Sequence, residues 1–278
     1  MIRFAVVNLI KFMRIGWVLS SLSILFLSCS YLPSPNSPKV SPITKGIIQT
    51  SSDKYSYTDF SGSFTLVKKI DIKQTKLGKQ LIVKNKLFEE SQNIPIEKIT
   101  SFSQLGKLTI KNKKVPVLRP YASFAKLWVE KKENNVQMVF DYKKRKLKVS
   151  MQQENNKTIE TKEFNVLANG NGMYCFYSQL IECIRYTGFF QVSQKLKDGE
   201  VDLYIIWDAY PFFQRRVGNN NLTPFSKAQF SYDGMSEDSN LHKYVLEVEN
   251  QNIFYQLDSD GVVQKQHWIS QGMSQEKL

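Results

Sequence analysis

Apolar side chains recur at every second position through most of the chain from residue 55 onward. The strand predicted at 136–142 places four of them on one face: Val136, Met138, Phe140 and Tyr142. Short polar segments such as 133–135 and 154–156 separate neighbouring runs. A period of two is that of a strand with one buried face, and short polar links are typical of hairpins. The sequence therefore predicts a mainly β fold, a curved antiparallel sheet or an incomplete β-barrel.

The second half of the chain repeats this alternation. It predicts five further strands, at residues 201–207, 225–232, 243–249, 253–257 and 262–268. The link at 258–261 reads Asp-Ser-Asp-Gly, which begins like a calcium loop. No acidic residue occupies the later positions that an EF-hand loop requires, so we expect a hairpin turn there.

One segment departs from the period of two. Its apolar residues recur at spacings of three and four: Met173, Phe176, Tyr177, Leu180, Ile181 and Ile184. This spacing predicts one amphipathic helix at about 172–186 that packs on the sheet, and Gly188 supplies a stop signal.

The predicted helix carries two cysteines, Cys175 and Cys183. Eight helical residues separate two Cα atoms by about 12 Å, whereas a disulfide bridges at most about 7 Å. The helix and the bridge therefore exclude each other. We favour the helix with two free thiols; the alternative is a disulfide, which an oxidising compartment would promote.

The first residues have the layout of a secretory signal. Residues 1–14 contain three basic residues and no acid, and residues 15–27 form an apolar run. That run is too short to span a bilayer, which takes about 20 apolar residues. Ser and Pro dominate the next segment, a composition that cannot form a packed core. We expect a signal at 1–28, a tether at 29–54, one domain at 55–270 and a polar tail at 271–278.

The net charge of +13 is concentrated in one region. Residues 107–149 contain 13 Lys and Arg against three acidic residues, and the leader contributes three further positive charges. The region suits an anionic envelope surface, with candidate contacts at Lys126, Lys143, Lys144, Arg145, Lys146 and Lys148. The alternative is a solvated Lys-rich strand face that prevents pairing between sheet edges. Nucleic acid is not an expected partner of an exported chain.

Residues for catalysis are scarce. The chain has two His and lacks a paired-His motif, a Gly-x-Ser-x-Gly elbow and a Cys-x-x-Cys motif. Cys175 has aromatic neighbours and no basic residue beside it to stabilise a thiolate. We expect no enzyme activity, no cofactor and no metal.

Residues 26–29, Phe-Leu-Ser-Cys, resemble a bacterial lipobox. The resemblance implies that Cys29 is acylated, with palmitate among its chains, and anchors the protein to a membrane. Phe26 departs from the Leu that the pattern prefers. Ser30 is not the Asp that marks inner-membrane retention, so the resemblance favours the outer membrane, on its periplasmic or surface face. The alternatives are an uncleaved signal anchor and a soluble secreted protein.

The combination of a lipobox, a polar tether, a long antiparallel sheet and one helix resembles the periplasmic lipoprotein-carrier superfamily. That resemblance implies an incomplete, strongly curved β-barrel that holds acyl chains beneath helices lying across its opening. Most members build this plug from more than one helix, whereas the sequence predicts one.

If such a cavity exists, inward aromatic and aliphatic residues line it. The candidates are Trp128, Met138, Phe140, Phe176, Tyr177, Leu180 and Trp207, with Lys126 and Arg145 near the mouth. The alternative is that these apolar residues form ordinary core. The expected function is that of a non-enzymatic envelope lipoprotein that binds a lipid or acyl chain. The alternative is a structural or surface lipoprotein whose basic region, 107–149, binds an anionic envelope polymer, such as a glycan, or a partner protein.

Overall fold

The strands of the protein form one large sheet. The computed structural model describes residues 47–76, 78–89, 94–110, 113–129, 132–153, 159–166, 172–212 and 223–278. Within these ranges the sheet has 15 strands, and its first half is an antiparallel meander. The meander consists of β1 (Ile47–Asp59), β2 (Gly62–Thr75), β3 (Gly78–Glu89), β4 (Pro95–Ile110), β5 (Lys113–Val129), β6 (Lys132–Asp141), β7 (Lys146–Gln153) and β8 (Glu160–Asn165).

The second half of the sheet comprises β9 (Tyr174–Phe176), β10 (Glu200–Ile206), β11 (Phe225–Met235), β12 (His242–Val248), β13 (Gln251–Leu257), β14 (Val263–Trp268) and β15 (Met273–Lys277). β9 runs parallel to β10, whereas β10 to β14 form a second antiparallel meander. The strands predicted at 201–207, 225–232, 243–249, 253–257 and 262–268 are therefore confirmed as β10 to β14. The predicted turn at 258–261 is also present, because Asp258 Oδ1 accepts the backbone N–H groups of Asp260 (3.0 Å) and Val262 (2.8 Å).

β15 joins the two meanders. It lies between β1 and β14, where Lys277 pairs with Tyr55 and Glu276 pairs with Lys265. β15 lies within the predicted polar tail, and β1 begins inside the predicted tether. Both boundaries thus differ from the prediction of a domain at 55–270. β15 has no fully buried side chain, so its place in the sheet comes from backbone pairing on both sides and leaves no apolar alternation in the sequence.

Two short helices lie on the concave face of the sheet. A 3-10 turn (Tyr177–Gln179) leads into α1 (Leu180–Tyr186), and Gly188, with φ of +82°, separates α1 from α2 (Phe189–Leu196). The buried residues of the helices share one core with those of β3, β5 and β10 to β14. The plug therefore contains two helices, one more than the sequence predicts.

The predicted helix begins later than expected. Residues Tyr174–Phe176 form β9, and only Leu180–Tyr186 of the predicted range is α-helical. Because Cys175 lies on a strand, its Cα is 6.0 Å from that of Cys183, and the two residues form a disulfide. The prediction of two free thiols is wrong for this reason.

The two ends of the sheet overlap. Ile205 and Ile206 point to opposite faces of β10: Ile205 joins the core beneath the helices, and Ile206 joins a second core with residues of β4 to β7. Phe140 of β6 and Tyr174 of β9 make a direct ring contact, with centroids 5.9 Å apart. Within the described residues no backbone ladder joins β8 to β9. The fold is an open half-barrel whose β9–β10 end lies inside its β4–β7 wall, which confirms the predicted fold class.

Candidate functional site

A cavity of about 360 Å³ lies between α1 and the concave face of β1 to β5, and we call it the helix cavity. The sheet side supplies Gln49, Ser51, Ile70, Ile72, Leu81, Leu105 and Leu118, and the helix side supplies Glu182, Arg185, Tyr186, Gly188 and Gln191. Its sheet wall is therefore mostly aliphatic, because alternate residues of β2 to β5 point inward. Such a wall suits a ligand with a flexible apolar chain.

Two charged residues of α1 face the helix cavity with incomplete hydrogen bonding. Glu182 pairs through Oε1 with Lys68 Nζ at 2.8 Å, and Arg185 Nη2 donates to the carbonyl of Gly261 at 2.6 Å. Glu182 Oε2 and Arg185 Nε are buried and have no hydrogen-bond partner. A buried polar atom without a partner costs about 1–3 kcal/mol, so each of these two atoms destabilises the fold by an amount of this order.

A second cavity, of about 270 Å³, lies between β5, β6 and β9, and we call it the arginine cavity. Its lining is largely apolar, with Arg119 and Arg145 as its charged members: Val117, Leu118, Arg119, Pro120, Phe140, Tyr142, Arg145, Val166, Gly172, Met173 and Tyr174. No acidic side chain is among them. The cavity thus combines apolar walls with two guanidinium groups, which favours an amphipathic anion.

The turn between β6 and β7 positions Arg145. Asp141 Oδ1 accepts the backbone N–H groups of Lys143 and Lys144, both at 3.0 Å, and Arg145 has a φ of +52°. Lys143 and Lys144 are exposed on the same turn and line neither cavity. All three basic residues of the turn are exposed, and among them only Arg145 also lines the arginine cavity.

Leu118 lines both cavities. Its side chain is 3% exposed and belongs to the core beneath the helices. Leu118 is therefore common to the walls of the arginine cavity and the helix cavity, and Arg119 and Arg145 lie on the side of the arginine cavity.

A third cavity, of about 110 Å³, lies near the 3-10 turn and includes Asp208, and we call it the turn cavity. Asp208 accepts hydrogen bonds from Ser123 Oγ (2.5 Å) and from the backbone N–H of Ser178 (2.8 Å). Burial raises the pKa of Asp208 to about 6, although both hydrogen bonds favour the ionised form. Next to it, Gln179 accepts from Ser103 Oγ and donates to the carbonyl of Ser101 at 2.8 Å. This network fixes the plug to β4 and β5.

The predicted cavity-lining residues occupy three kinds of position. Phe140 lines the arginine cavity, and Tyr177 and Leu180 line the turn cavity. Met138, Phe176 and Trp207 are at most 1% exposed and line none of the three cavities, so they are core.

The prediction that Trp128 lines an interior cavity does not agree with its position. Trp128 lies on the outer face of β5, because it alternates with Leu127, whose side chain is in the interior core. There the Nζ atoms of Lys98 and Lys126 lie 5.9 and 5.3 Å from its ring centroid.

The predicted anionic contacts are also distributed over different surfaces. Arg145 reaches a concave cavity, whereas Lys126 lies on the outer face and pairs with Glu133 at 2.6 Å. Lys146 pairs with Glu163 at 2.6 Å, and Lys148 alternates with the buried Leu147 and Val149. The basic region is therefore not one continuous patch.

Sequence reasoning missed Arg119, Glu182, Arg185 and Asp208 as candidate site residues. Their partners lie far away along the chain: Asp208 binds Ser123, and Arg185 binds Gly261. Local spacing carries no information about such pairs. The one available signal was a pair of charged residues, Glu182 and Arg185, inside an otherwise apolar helix segment.

None of the helices in the described ranges combines the length and the apolarity needed to cross a membrane. The same ranges contain no cluster of three or more His, Cys, Asp or Glu residues arranged to hold a metal ion. Cys29 and the predicted signal at 1–28 lie outside the described residues.

Comparison with known proteins yields little similarity. No protein-family model matches the chain, and no curated protein matches it. Among solved structures, it is similar to the crystal structure of a β-barrel-like protein of domain of unknown function DUF1849 from Brucella abortus. The identity is 9% and the TM-score 0.39, with 86% of this chain and 97% of that chain covered. The half-barrel is therefore defined by the strand pairing of this chain and not by this similarity.

Proposed function

We propose that the protein is a non-enzymatic, lipid-anchored envelope protein that holds an acyl-chain ligand on the concave side of its half-barrel. The observation that carries the proposal is the aliphatic wall of the helix cavity, which meets the arginine cavity at Leu118. The ligand's apolar chain lies along Ile70, Ile72 and Leu105, and its anionic head lies beside Arg119 and Arg145.

The energetics favour this orientation. Burial of apolar surface contributes about 25 cal/mol per Å², so a chain in an aliphatic cavity supplies most of the affinity. A carboxylate or phosphate head is stabilised by hydrogen bonds from guanidinium groups, which bind such groups in a bidentate geometry.

Two features support an envelope location. The leader at 1–28 and the lipobox-like residues 26–29 favour export and acylation at Cys29, with the outer membrane preferred over the inner. The disulfide between Cys175 and Cys183 is typical of an oxidising compartment. In this proposal, acylated Cys29 anchors the protein near its amino-terminal end, and the half-barrel lies beside the membrane.

Titration of the purified protein with a fluorescent long-chain fatty acid tests the proposal. We expect saturable binding that unlabelled oleate displaces. Arg145→Asn should weaken binding about tenfold, because it removes a charged hydrogen-bond donor while Asn tolerates the positive φ. Lys144→Asn, which removes the same charge from the same turn, should bind as wild type does.

A second pair of variants probes the apolar wall. Ile72→Trp fills the helix cavity and should abolish saturable binding, whereas Ile72→Leu conserves the volume and should retain it. Thermal melting of each variant establishes that it is folded. Binding that survives Ile72→Trp in a folded protein, or equal losses for Arg145→Asn and Lys144→Asn, contradicts the proposed site.

A further inference from the structure

The outer face of the sheet contains a groove of about 490 Å³ that crosses β2 to β7, and we call it the outer groove. Most of its lining residues occupy positions that alternate with the inward residues: Ile82 precedes Val83, and Lys98 precedes Ile99. Neighbouring strands lie about 4.8 Å apart, so six strands give the groove a length of about 24 Å. A site of this length suits an extended oligomer.

Four lysines surround the outer groove: Lys73, Lys84, Lys98 and Lys126. Lys84 is tied to the buried Asp71 at 3.2 Å, and Lys126 is tied to Glu133 at 2.6 Å. Lys73 and Lys98 form no ion pair with any described acidic side chain. No acidic residue of the described ranges lines the groove, so Lys73 and Lys98 favour an anionic occupant.

The floor of the outer groove is apolar and partly aromatic. Ile82, Phe102 and Phe124 form it, and the two Phe rings meet edge to face with centroids 5.9 Å apart. Trp128 lies beside Lys98 and Lys126 on the same face. Aromatic faces of this kind pack against the C–H faces of sugar rings as well as against acyl chains.

Five neutral hydrogen-bonding side chains also line the outer groove, and the remaining lining residues are Ala125, Val136, Met151 and Ile159. The five neutral side chains are Thr100, Asn135, Gln137, Ser150 and Gln152, from β4, β6 and β7. An acyl chain offers no partner to hydroxyl and amide groups, whereas a sugar offers several hydroxyls on each ring. The amide and hydroxyl groups therefore distinguish this groove from the aliphatic helix cavity.

We infer that the outer groove binds an acidic glycan, an oligomer of sugars that carry carboxylates. The carboxylates pair with Lys73 and Lys98, the sugar hydroxyls bond to the amide and hydroxyl side chains, and ring faces pack on Phe102 and Phe124. This site is on the opposite face of the sheet from the proposed acyl-chain site and does not depend on it. Three of its four lysines lie outside the basic region 107–149.

The test uses the full chain and oligomers of galacturonic acid, with glucose oligomers of equal length as the neutral control. Calorimetry at low and high salt should give binding that weakens with salt for the acidic oligomer and no binding for the neutral one. Lys73→Gln with Lys98→Gln should weaken binding about tenfold. Lys143→Gln with Lys144→Gln, an equal change in net charge on an exposed turn, should leave it unchanged.

The Phe124→Leu variant distinguishes binding in a specific site from binding by charge attraction alone. It keeps the floor apolar but removes the flat ring, and should weaken glycan binding severalfold. Equal losses for the two lysine pairs, or full binding by Phe124→Leu, would show non-specific electrostatics and overturn the inference. The inference is also overturned if the acidic oligomer fails to bind. Binding of phosphatidylglycerol vesicles through Lys73 and Lys98, without binding of the acidic oligomer, would instead indicate a lipid surface as the partner.

Discussion

Asp208 shows how one residue joins the plug to the wall of the half-barrel. Its carboxylate accepts from Ser123 on β5 and from the backbone of Ser178 in the 3-10 turn. The group is buried, and its pKa of about 6 lies above the ordinary value of 3.8. Ionisation is therefore less favourable in the folded protein than in the unfolded chain.

The raised pKa predicts a pH dependence of stability. The contribution of Asp208 is greatest below pH 4 and is lost as the pH rises through about 6, a change of about 3 kcal/mol. Asp208→Asn does not titrate at this position. Its free energy of unfolding, measured by urea titration, should therefore gain on that of wild type between pH 4 and pH 7.

The comparison with wild type cancels the contributions of all other titrating groups. Asp202→Asn, at an exposed position of β10, serves as the control and should track wild type over the whole range. A constant difference between Asp208→Asn and wild type from pH 4 to pH 7 would mean that the Asp208 carboxyl titrates alike in both states.

At the level of elements, β15 holds the two meanders together. It is paired with β1 on one side and β14 on the other, and ion pairs reinforce both sides: Lys277 with Asp53 and Glu276 with Lys265, each at 2.8 Å. Without β15 the backbone groups of β1 and β14 that face it lose their partners.

Removal of residues 273–278 tests this role. We expect the melting temperature to fall by about 10 °C or more, because two strand ladders are lost and each kcal/mol shifts Tm by about 2–4 °C in a domain of this size. Circular dichroism during heating measures the change. Deletion of Leu278 alone, which removes one hydrogen bond to Lys54, is the control. An unchanged melting temperature in the longer deletion would indicate a dispensable tail.

The sequence predicts elements well where one face is buried and one is exposed. β6, with Val136, Met138 and Phe140 buried, shows this alternation clearly. β9 does not, because it is covered on both sides: Cys175 belongs to the core beneath the helices and Phe176 to the core of β4 to β7. A strand buried on both faces has no period of two, and its apolar residues were assigned to the following helix.

The candidate cavities were less predictable than the strands. Apolar alternation identifies inward residues but does not distinguish those that meet other side chains from those that line a space. Met138 and Phe140 have the same predicted orientation, yet only Phe140 lines a cavity described above. The difference depends on where the overlapping β9–β10 end lies, which is a property of the whole sheet.

At the level of the whole molecule, the proposed anchor determines where the half-barrel works. In a bacterial host that acylates lipoproteins, Cys29→Ser should move the protein from the membrane fraction to the soluble fraction, because acyl chains supply the membrane affinity. Fractionation followed by immunoblotting measures this. Ser30→Ala is the adjacent control and should remain with the membranes. Retention of Cys29→Ser would instead favour an uncleaved signal anchor.

The overlap of the sheet ends has a consequence for the width of the interior. In a closed barrel the number of strands and their stagger determine the diameter. Here the β9–β10 end contacts the opposite wall through side chains such as Phe140 and Tyr174, and among the described strands no backbone ladder fixes the distance between the two ends of the sheet. The width of the interior therefore depends on the volume of the side chains where the two ends of the sheet are in contact. Substitution of a few residues in this contact can therefore change the volume of the interior while every strand keeps its neighbours in the sheet.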